Sequence, residues 1–242
     1  MWIRPKCSTV FVSTLIVMFI IGSWLNLNGV WIEFPLIVDQ LPEGWRLPAT
    51  MGLVSNLANI GVLIIAVIRR FSKGRVTYEI PVNIIILTTG TIVLVILAFF
   101  WHKTAIINGT PRSTYLMGLS LTLAFVDCTS SVTFLPFLDR YEAMYINAYF
   151  VGEALSSLLP ALLGLAQGVG KTSCIDNGNG TLVEYTSPAR FSVRVYFLAL
   201  AVMMLASLVS FIILCLTRLG RRRNQTSIDS SNLKLVFTSF LT

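Results

Sequence analysis

Six apolar stretches, each about as long as a bilayer-crossing helix, recur along the chain with short charged or turn-forming clusters between them. They run over 9–30, 47–68, 80–100, 114–138, 143–166 and 192–217. A helix rises about 1.5 Å per residue, so roughly 20 apolar residues cross the ~30 Å hydrocarbon layer. One such run could be a buried core helix, but a series of them predicts an all-α, polytopic membrane protein with a six-helix bundle over 1–218. Arg4 and Lys6 precede the first run as they would in a signal peptide. That run is longer than a signal sequence requires and lacks a small-residue cleavage pattern, so it reads as a retained span.

Polar residues inside these runs are sparse and patterned. In the first run Trp24, Asn28, Trp31 and Pro35 fall on one helical stripe, and Gly22, Asn26, Gly29 and Glu33 on another. Trp31 sits near the end of the span, where a tryptophan serves equally as an interface anchor. Gly29 and Pro35 allow this helix to bend. Asn56 and Asn59, three residues apart, share a face of the second run and either glue helices or bind a ligand. In the fourth run Asp127, Ser130, Ser131 and Phe134 follow i, i+3, i+4, i+7, and Asp127 and Ser131 stand out as ligand-facing groups. Cys128 and Thr129 can return their donors to the helix backbone. The fifth run carries a small-residue seam, Gly152, Ser156, Pro160 and Gly164, suited to close helix packing with a kink at Pro160.

Acids within hydrocarbon cost several kcal/mol unless they face a bundle interior or a hydrated cavity. Glu33, Asp127 and Glu153 are such acids, and no Lys or Arg lies deep in any of the six runs. They are the candidate proton-coupling groups. The stripes converge most economically on a shared aqueous pocket of amides, hydroxyls, carboxyls and tryptophans, suited to a neutral, flat, hydrogen-bonding solute.

Composition agrees with the membrane class: 55% of residues are hydrophobic, 12% are charged, and mean hydropathy is +0.78. The net charge of +7 is a matter of topology. One set of loops holds eleven basic residues, Arg4, Lys6, Arg69, Arg70, Lys73, Arg75, Arg140, Arg218 and Arg221 to Arg223; the other holds six. The richer side is expected to be cytoplasmic, with both termini. These cations sit at span ends without interleaved stacking aromatics, which argues against nucleic acid. Glycosylation acceptors at Asn108 and Asn179 fall in the opposite loops, although Pro111 follows the first; a third, at Asn224, is cytoplasmic by this count and should stay bare. Four cysteines scattered over both sides and one span make no disulfide framework, and Cys7 and Cys215 are either acylation sites or packing residues. There is no phosphate-cradling glycine loop and no metal-spaced His/Cys cluster, and the single histidine, His102, reads as an interface residue beside Trp101. No enzyme activity, metal or cofactor is expected.

The strings "GSWLNLNGVWIEFPLIVDQLPEGW", "LANIG", "VDCTSSVTFLPF" and "FVGEALSSLLPALLGLAQG" resemble the riboflavin transporters, solute carrier family 52, over about 15–216. The resemblance implies sodium-independent riboflavin uptake across the plasma membrane through an eleven-span bundle of major-facilitator-like or equilibrative-nucleoside-transporter-like type. The substrate residues would be Trp24, Asn28, Trp31, Asn56, Asn59, Asp127, Ser131 and Phe134, with the flavin ring on the tryptophans and the ribityl hydroxyls at Asp127 and Ser131. The chain departs from the family after six spans, in a polar 219–242 tail expected to be cytoplasmic and disordered. It therefore resembles an N-terminal half. Three readings follow: a transporter that homodimerises or joins a second half, a truncated form that binds a full-length carrier, or a surface receptor or scaffold.

Overall fold

The computed structural model describes residues 7–71, 79–107, 109–168, 172–176, 182–186 and 188–217. Asn108, Asn179, Asn224 and the 219–242 tail lie outside the described residues, as do most of the basic residues that set the charge asymmetry. Among the described residues the helices are α1 (Cys7–Ile20), α2 (Leu25–Ile37), α3 (Leu47–Leu57), α4 (Ile60–Phe71), α5 (Glu79–Phe100), α6 (Thr114–Leu138), α7 (Ile146–Gln167) and α8 (Val193–Leu216). Short 3-10 turns lie at Val38–Gln40, Gly44–Arg46 and Ala143–Tyr145. Two antiparallel hairpins complete the set: β1 (Ala105–Ile107) with β2 (Thr110–Arg112), and β3 (Thr172–Asp176) with β4 (Leu182–Thr186). Both hairpins lie at the same end of the bundle, between α5 and α6 and between α7 and α8.

By length and composition Gly44–Val67, Glu79–Phe100, Thr114–Leu138, Ala143–Gln167 and Val193–Leu216 are each apolar enough to cross a membrane. The bent pair Cys7–Ile20 and Leu25–Gln40, at 52°, makes a sixth. The protein is thus a mostly helical, polytopic membrane protein. α5 packs between α6 and α8, α1 between α7 and α8, and α2 against α6, α7 and α8; α3 and α4 lie on α6. The core is apolar and aromatic, with Phe19, Phe134, Phe137 and Phe211 gathered at ring separations of 4.3 to 5.7 Å.

Two spans that the sequence reads as continuous are broken. The first is interrupted at Ile21–Trp24, where Gly22 and Ser23 bond back to the carbonyls of Phe19 and Ile20 in tightened turns. Bending was expected at Gly29 and Pro35 instead. Gly29 serves another purpose: a Cβ there would run into Leu200 of α8. Pro35 sits in a helix that continues past it to Ile37. The break falls where Gly22 lets α5 and α8 close in, since a Cβ on it would lie 2.6 Å from Ser207 Oγ and 3.0 Å from Leu87 Cδ2. The Ser207 hydroxyl donates to the Phe19 carbonyl in this turn. The second span is interrupted at Ala58–Asn59, again by i→i+3 bonds.

The four seam residues of α7, Gly152, Ser156, Pro160 and Gly164, are all buried. A Cβ on Gly152 would come 2.7 Å from Ile20 Cβ and 2.8 Å from the Val17 carbonyl oxygen of α1, and one on Gly164 would come 2.5 Å from Ile32 Cγ2 of α2. Ser156 donates to the Glu153 carbonyl at 2.6 Å, and the Pro160 carbonyl accepts from Tyr196 Oη of α8 at 3.2 Å. α7 ends at Gly168, whose φ of 87° closes the helix on the carbonyls of Gly164 and Leu165. Because Val17 contributes backbone, it cannot rotate away from an added methyl group. Gly152→Ala should destabilise the purified chain in detergent by about 1–3 kcal/mol, read as a lower melting temperature. Gly118→Ala, at a position with nothing within 4 Å of its Cβ, should leave the melting temperature unchanged or slightly raised.

Candidate functional site

The chemistry of the bundle gathers where the polar segment of α6 meets the two broken spans. α2 begins at Leu25 after Trp24, which makes no side-chain cap. Its first-turn N–H groups lack carbonyl partners one turn back and need acceptors from elsewhere. Asp127 supplies the partner. Its Oδ2 accepts from the Leu27 N–H at 2.7 Å, and its Oδ1 from Asn26 Nδ2 at 2.6 Å. The carboxyl group is fully buried and acts as a cap lent to α2 by another helix, on the end where the helix dipole favours negative charge.

Neighbouring residues of α6 serve the same junction. The Ser130 hydroxyl lies 2.9 Å from the Ser23 carbonyl in the first break and 2.7 Å from the Asp127 carbonyl. Cys128 Sγ donates to Asn59 Oδ1 in the second break at 3.5 Å. A Cβ on Gly61, just past that break, would meet Phe125 Cδ1 at 2.8 Å and Thr129 Oγ1 at 3.0 Å. Ser131 returns its proton to the Asp127 carbonyl at 3.2 Å. Leu27, Ala58, Ala124 and Cys128 share one small apolar cluster, so the two breaks flank the same stretch of α6.

The structure sorts the sequence candidates into groups. Trp24 and Asn28 are half-buried and Trp31 is 38% exposed, with its ring edge-on to Phe34 at 4.9 Å. This stripe of α2 faces away from the bundle core, while Asn26, Gly29 and Glu33 face into it. Asn56 and Asn59 are exposed, and Asn56 Nδ2 bonds the Gly52 carbonyl of its own helix at 2.9 Å. Phe134 is enclosed in the aromatic core against Phe19, away from Trp24 and Asn28. Glu153 is half-buried on α7. Glu33 is fully buried and accepts from Gln167 Nε2 at 3.0 Å.

Sequence reasoning singled out Asp127 and Ser131 but passed over Asn26, Ser130 and Gln167. Asn26 and Ser130 stood in the stripes already traced, so the signal was present; Gln167 stands alone at the end of an apolar run, and nothing local marks it. A separate cavity of about 690 Å³ opens at the hairpin end of the bundle, where Leu36, Gln40, Trp101, His102, Arg190 and Arg194 contribute to its walls. There Glu43 accepts from both the N–H and the hydroxyl of Ser113, fixing the start of α6.

The Asp127 junction makes a measurable claim. Asp127→Asn sets an amide N–H against either the Leu27 N–H or the Asn26 amide, leaving a buried donor without an acceptor. The expected cost is about 1–3 kcal/mol, read by thermal unfolding. Asn26→Ala and Asp127→Ala combined should be non-additive by about 0.5–3 kcal/mol, whereas either combined with Gly118→Ala should be additive.

With this geometry in place, comparison with known proteins identifies the fold family. The family model described as "Solute carrier family 52, riboflavin transporter" matches residues 8–236. Among similar proteins, riboflavin transporter member 3-A of solute carrier family 52 from Danio rerio is 42% identical over 216 residues, covering 84% of this chain and 48% of the relative. Riboflavin transporter 2 of Salmo salar is 40% identical over 223 residues, 85% of this chain and 48% of the relative. Member 3 from Homo sapiens is 38% identical over 235 residues, 83% of this chain and 50% of the relative. The chain spans about half the length of these relatives. No solved structure matches it. A polytopic helical bundle whose family match covers nearly its whole length is assigned without ambiguity: the chain belongs to solute carrier family 52, the riboflavin transporters.

Proposed function

We propose that the chain forms the N-terminal half of a plasma-membrane riboflavin carrier, sodium-independent and built on an eleven-helix plan, whose solute site is completed by a second bundle. The observation that carries this reading is the polar and aromatic face left outside the core: Trp24, Asn28 and Trp31 on α2, with Asn59 exposed at the break of the second span. An asparagine facing lipid is costly, and a second bundle across this face would enclose it. A flavin ring suits such a face, because tryptophan offers a flat apolar surface and a carboxamide matches the donor and acceptor edge of a pyrimidine. Asp127 contributes by fixing the end of α2, and Ser131 and Asn56 border the same region. Phe134 supports it from within the core.

In this reading both termini are cytoplasmic, and Asn108 and Asn179 are glycosylated on the outside. Glu33, Asp127 and Glu153 are the candidate proton-coupling groups. The bundle that completes the site would be a second transporter half or a second copy of the chain. The same outward face of α2 also admits a second reading, in which it docks on a full-length carrier and the chain does not transport by itself.

The test is uptake of labelled riboflavin by cells expressing the chain alone, and by cells expressing it fused to the C-terminal half of the Danio rerio relative. The fusion should take up riboflavin equally in sodium and in choline medium. Trp24→Ala and Asn28→Ala in the fusion should each lower uptake at subsaturating substrate by roughly tenfold, the equivalent of about 1.4 kcal/mol of contact. Full uptake by both variants would remove the proposed face from the site. Uptake by the chain alone would point to a homo-oligomer, and co-purification with a full-length carrier without uptake would favour the second reading.

A further inference from the structure

We infer that Glu33 carries a proton on Oε2 and that its carboxylic acid and the Gln167 amide form a closed pair of hydrogen bonds, a latch joining α2, α7 and the segment that leads into α8. The inference rests on this pair and is independent of which solute is carried.

Half of the pair is already drawn by the heavy atoms. Gln167 Nε2 donates to Glu33 Oε1 at 3.0 Å, and its second N–H donates to the Phe191 carbonyl at 3.1 Å. Those two acceptors fix the orientation of the amide, since the reversed assignment would set Oε1 against two oxygens. Both side chains are fully buried. Each then has one oxygen without a donor: Glu33 Oε2 and Gln167 Oε1. Buried polar atoms are seldom left so, and two acceptors orphaned in the same pair of groups have one economical solution. A carboxylic acid and a primary amide are complementary: N–H to the acid carbonyl, O–H to the amide carbonyl. One proton on Glu33 serves both orphans at once.

The alternatives fit less well. Calcium and magnesium take six or more oxygens, and this pair has two to offer. The Arg140–Glu79 ion pair lies at the other end of the bundle. The titratable groups on the packed elements leave Glu33 without a counter-charge. On α8, the buried Tyr196 donates its proton to the Pro160 carbonyl. On α7, Glu153 is half-buried and lies fourteen residues before Gln167, roughly 21 Å along the helix. On α6, Asp127 is bound to Asn26 and Leu27 at the far end of α2. Past α2, Asp39 is exposed; Arg190 and Arg194 are exposed too, the first near the Ala166 carbonyl and the second over the Phe99 ring at 4.8 Å.

Loss of the proton would place a bare carboxylate oxygen opposite the amide oxygen and open the latch. Gln167 holds Phe191 with the same nitrogen, so the lead-in to α8 would be released with it. Exchange has a short route. Leu36, one helical turn beyond Glu33, and Phe191 both line the 690 Å³ cavity at the hairpin end.

The test uses the whole chain in lipid nanodiscs. Glu33→Gln replaces the acid by a second amide, which can form the same two bonds but cannot titrate. The infrared difference between native and Glu33→Gln protein at neutral pH should contain a protonated-carboxyl carbonyl band that shifts in deuterated water. Stability should follow by linkage. An unfolded, hydrated glutamate is ionised at neutral pH, so the native state holds the extra proton and is stabilised less as pH rises. Between about pH 6 and pH 9 the native melting temperature should fall by roughly 2–4 °C more than that of Glu33→Gln. Absence of the band, or parallel melting profiles, would overturn the inference, as a water bridge would give both. A native melting temperature that depends on sodium while that of Glu33→Gln does not would overturn it in favour of a cation. Should Glu33→Gln fail to fold, Gln167→Leu keeps the acid and removes its acceptor; its carboxyl band should move to higher frequency, and an unmoved band would equally overturn the inference.

Discussion

A break in a membrane helix frees backbone donors and acceptors in a medium that offers none in return, and each unsatisfied group costs several kcal/mol. That constraint governs the centre of this bundle. Two consecutive spans are interrupted, at Ile21–Trp24 and at Ala58–Asn59, and both interruptions lie against one stretch of α6. The succession Asp127, Cys128, Thr129, Ser130, Ser131 is the answer to them. Asp127 caps the Leu27 N–H, Ser130 reaches the Ser23 carbonyl, and Cys128 reaches Asn59. A polar run inside an oily helix is costly by itself, and here its cost is offset by the breaks it allows.

The helices themselves were legible because hydropathy and length suffice to mark an uninterrupted span. The unbroken helices α5 to α8 need nothing more than an apolar run bounded by turns. The breaks were not legible, because Gly22–Ser23 and Ala58–Asn59 are ordinary residues whose conformation is decided by what packs on them. Gly22 admits Ser207 and Leu87, and Gly61 admits Phe125 and Thr129. Gly29 and Pro35 carried the stronger local signal for bending. The first is used for contact with Leu200 and the second is carried within a continuing helix. Local propensity states what a residue permits, and tertiary contact decides which permission is used.

The candidate site was partly legible for a related reason. Periodicity placed Trp24, Asn28 and Trp31 together and Asn26, Gly29 and Glu33 together, and the structure separates these two stripes into an outer and an inner face of α2. What periodicity lacks is the partner. Asp127 and Glu33 each stand in the sequence as lone acids, yet one answers Asn26 and the Leu27 backbone and the other answers Gln167, at separations of 101, 100 and 134 residues. No one-dimensional pattern links residues so far apart.

These partners define how α2 is held. Its flanks pack through apolar contacts and close glycine approaches, with Gly29 against Leu200 and Ile32 against Gly164. Such surfaces resist compression but fix axial register weakly, because one methyl group replaces another along the groove. Register is fixed by the directional bonds at its two ends, Asp127 of α6 at the first turn and Gln167 of α7 near the last. A thirteen-residue helix clamped at both ends by different neighbours transmits a change at either clamp as a displacement of the whole element. The stripe of Trp24, Asn28 and Trp31 rides on it. The polar run of α6 that makes the breaks affordable therefore also sets where the outward face of α2 stands.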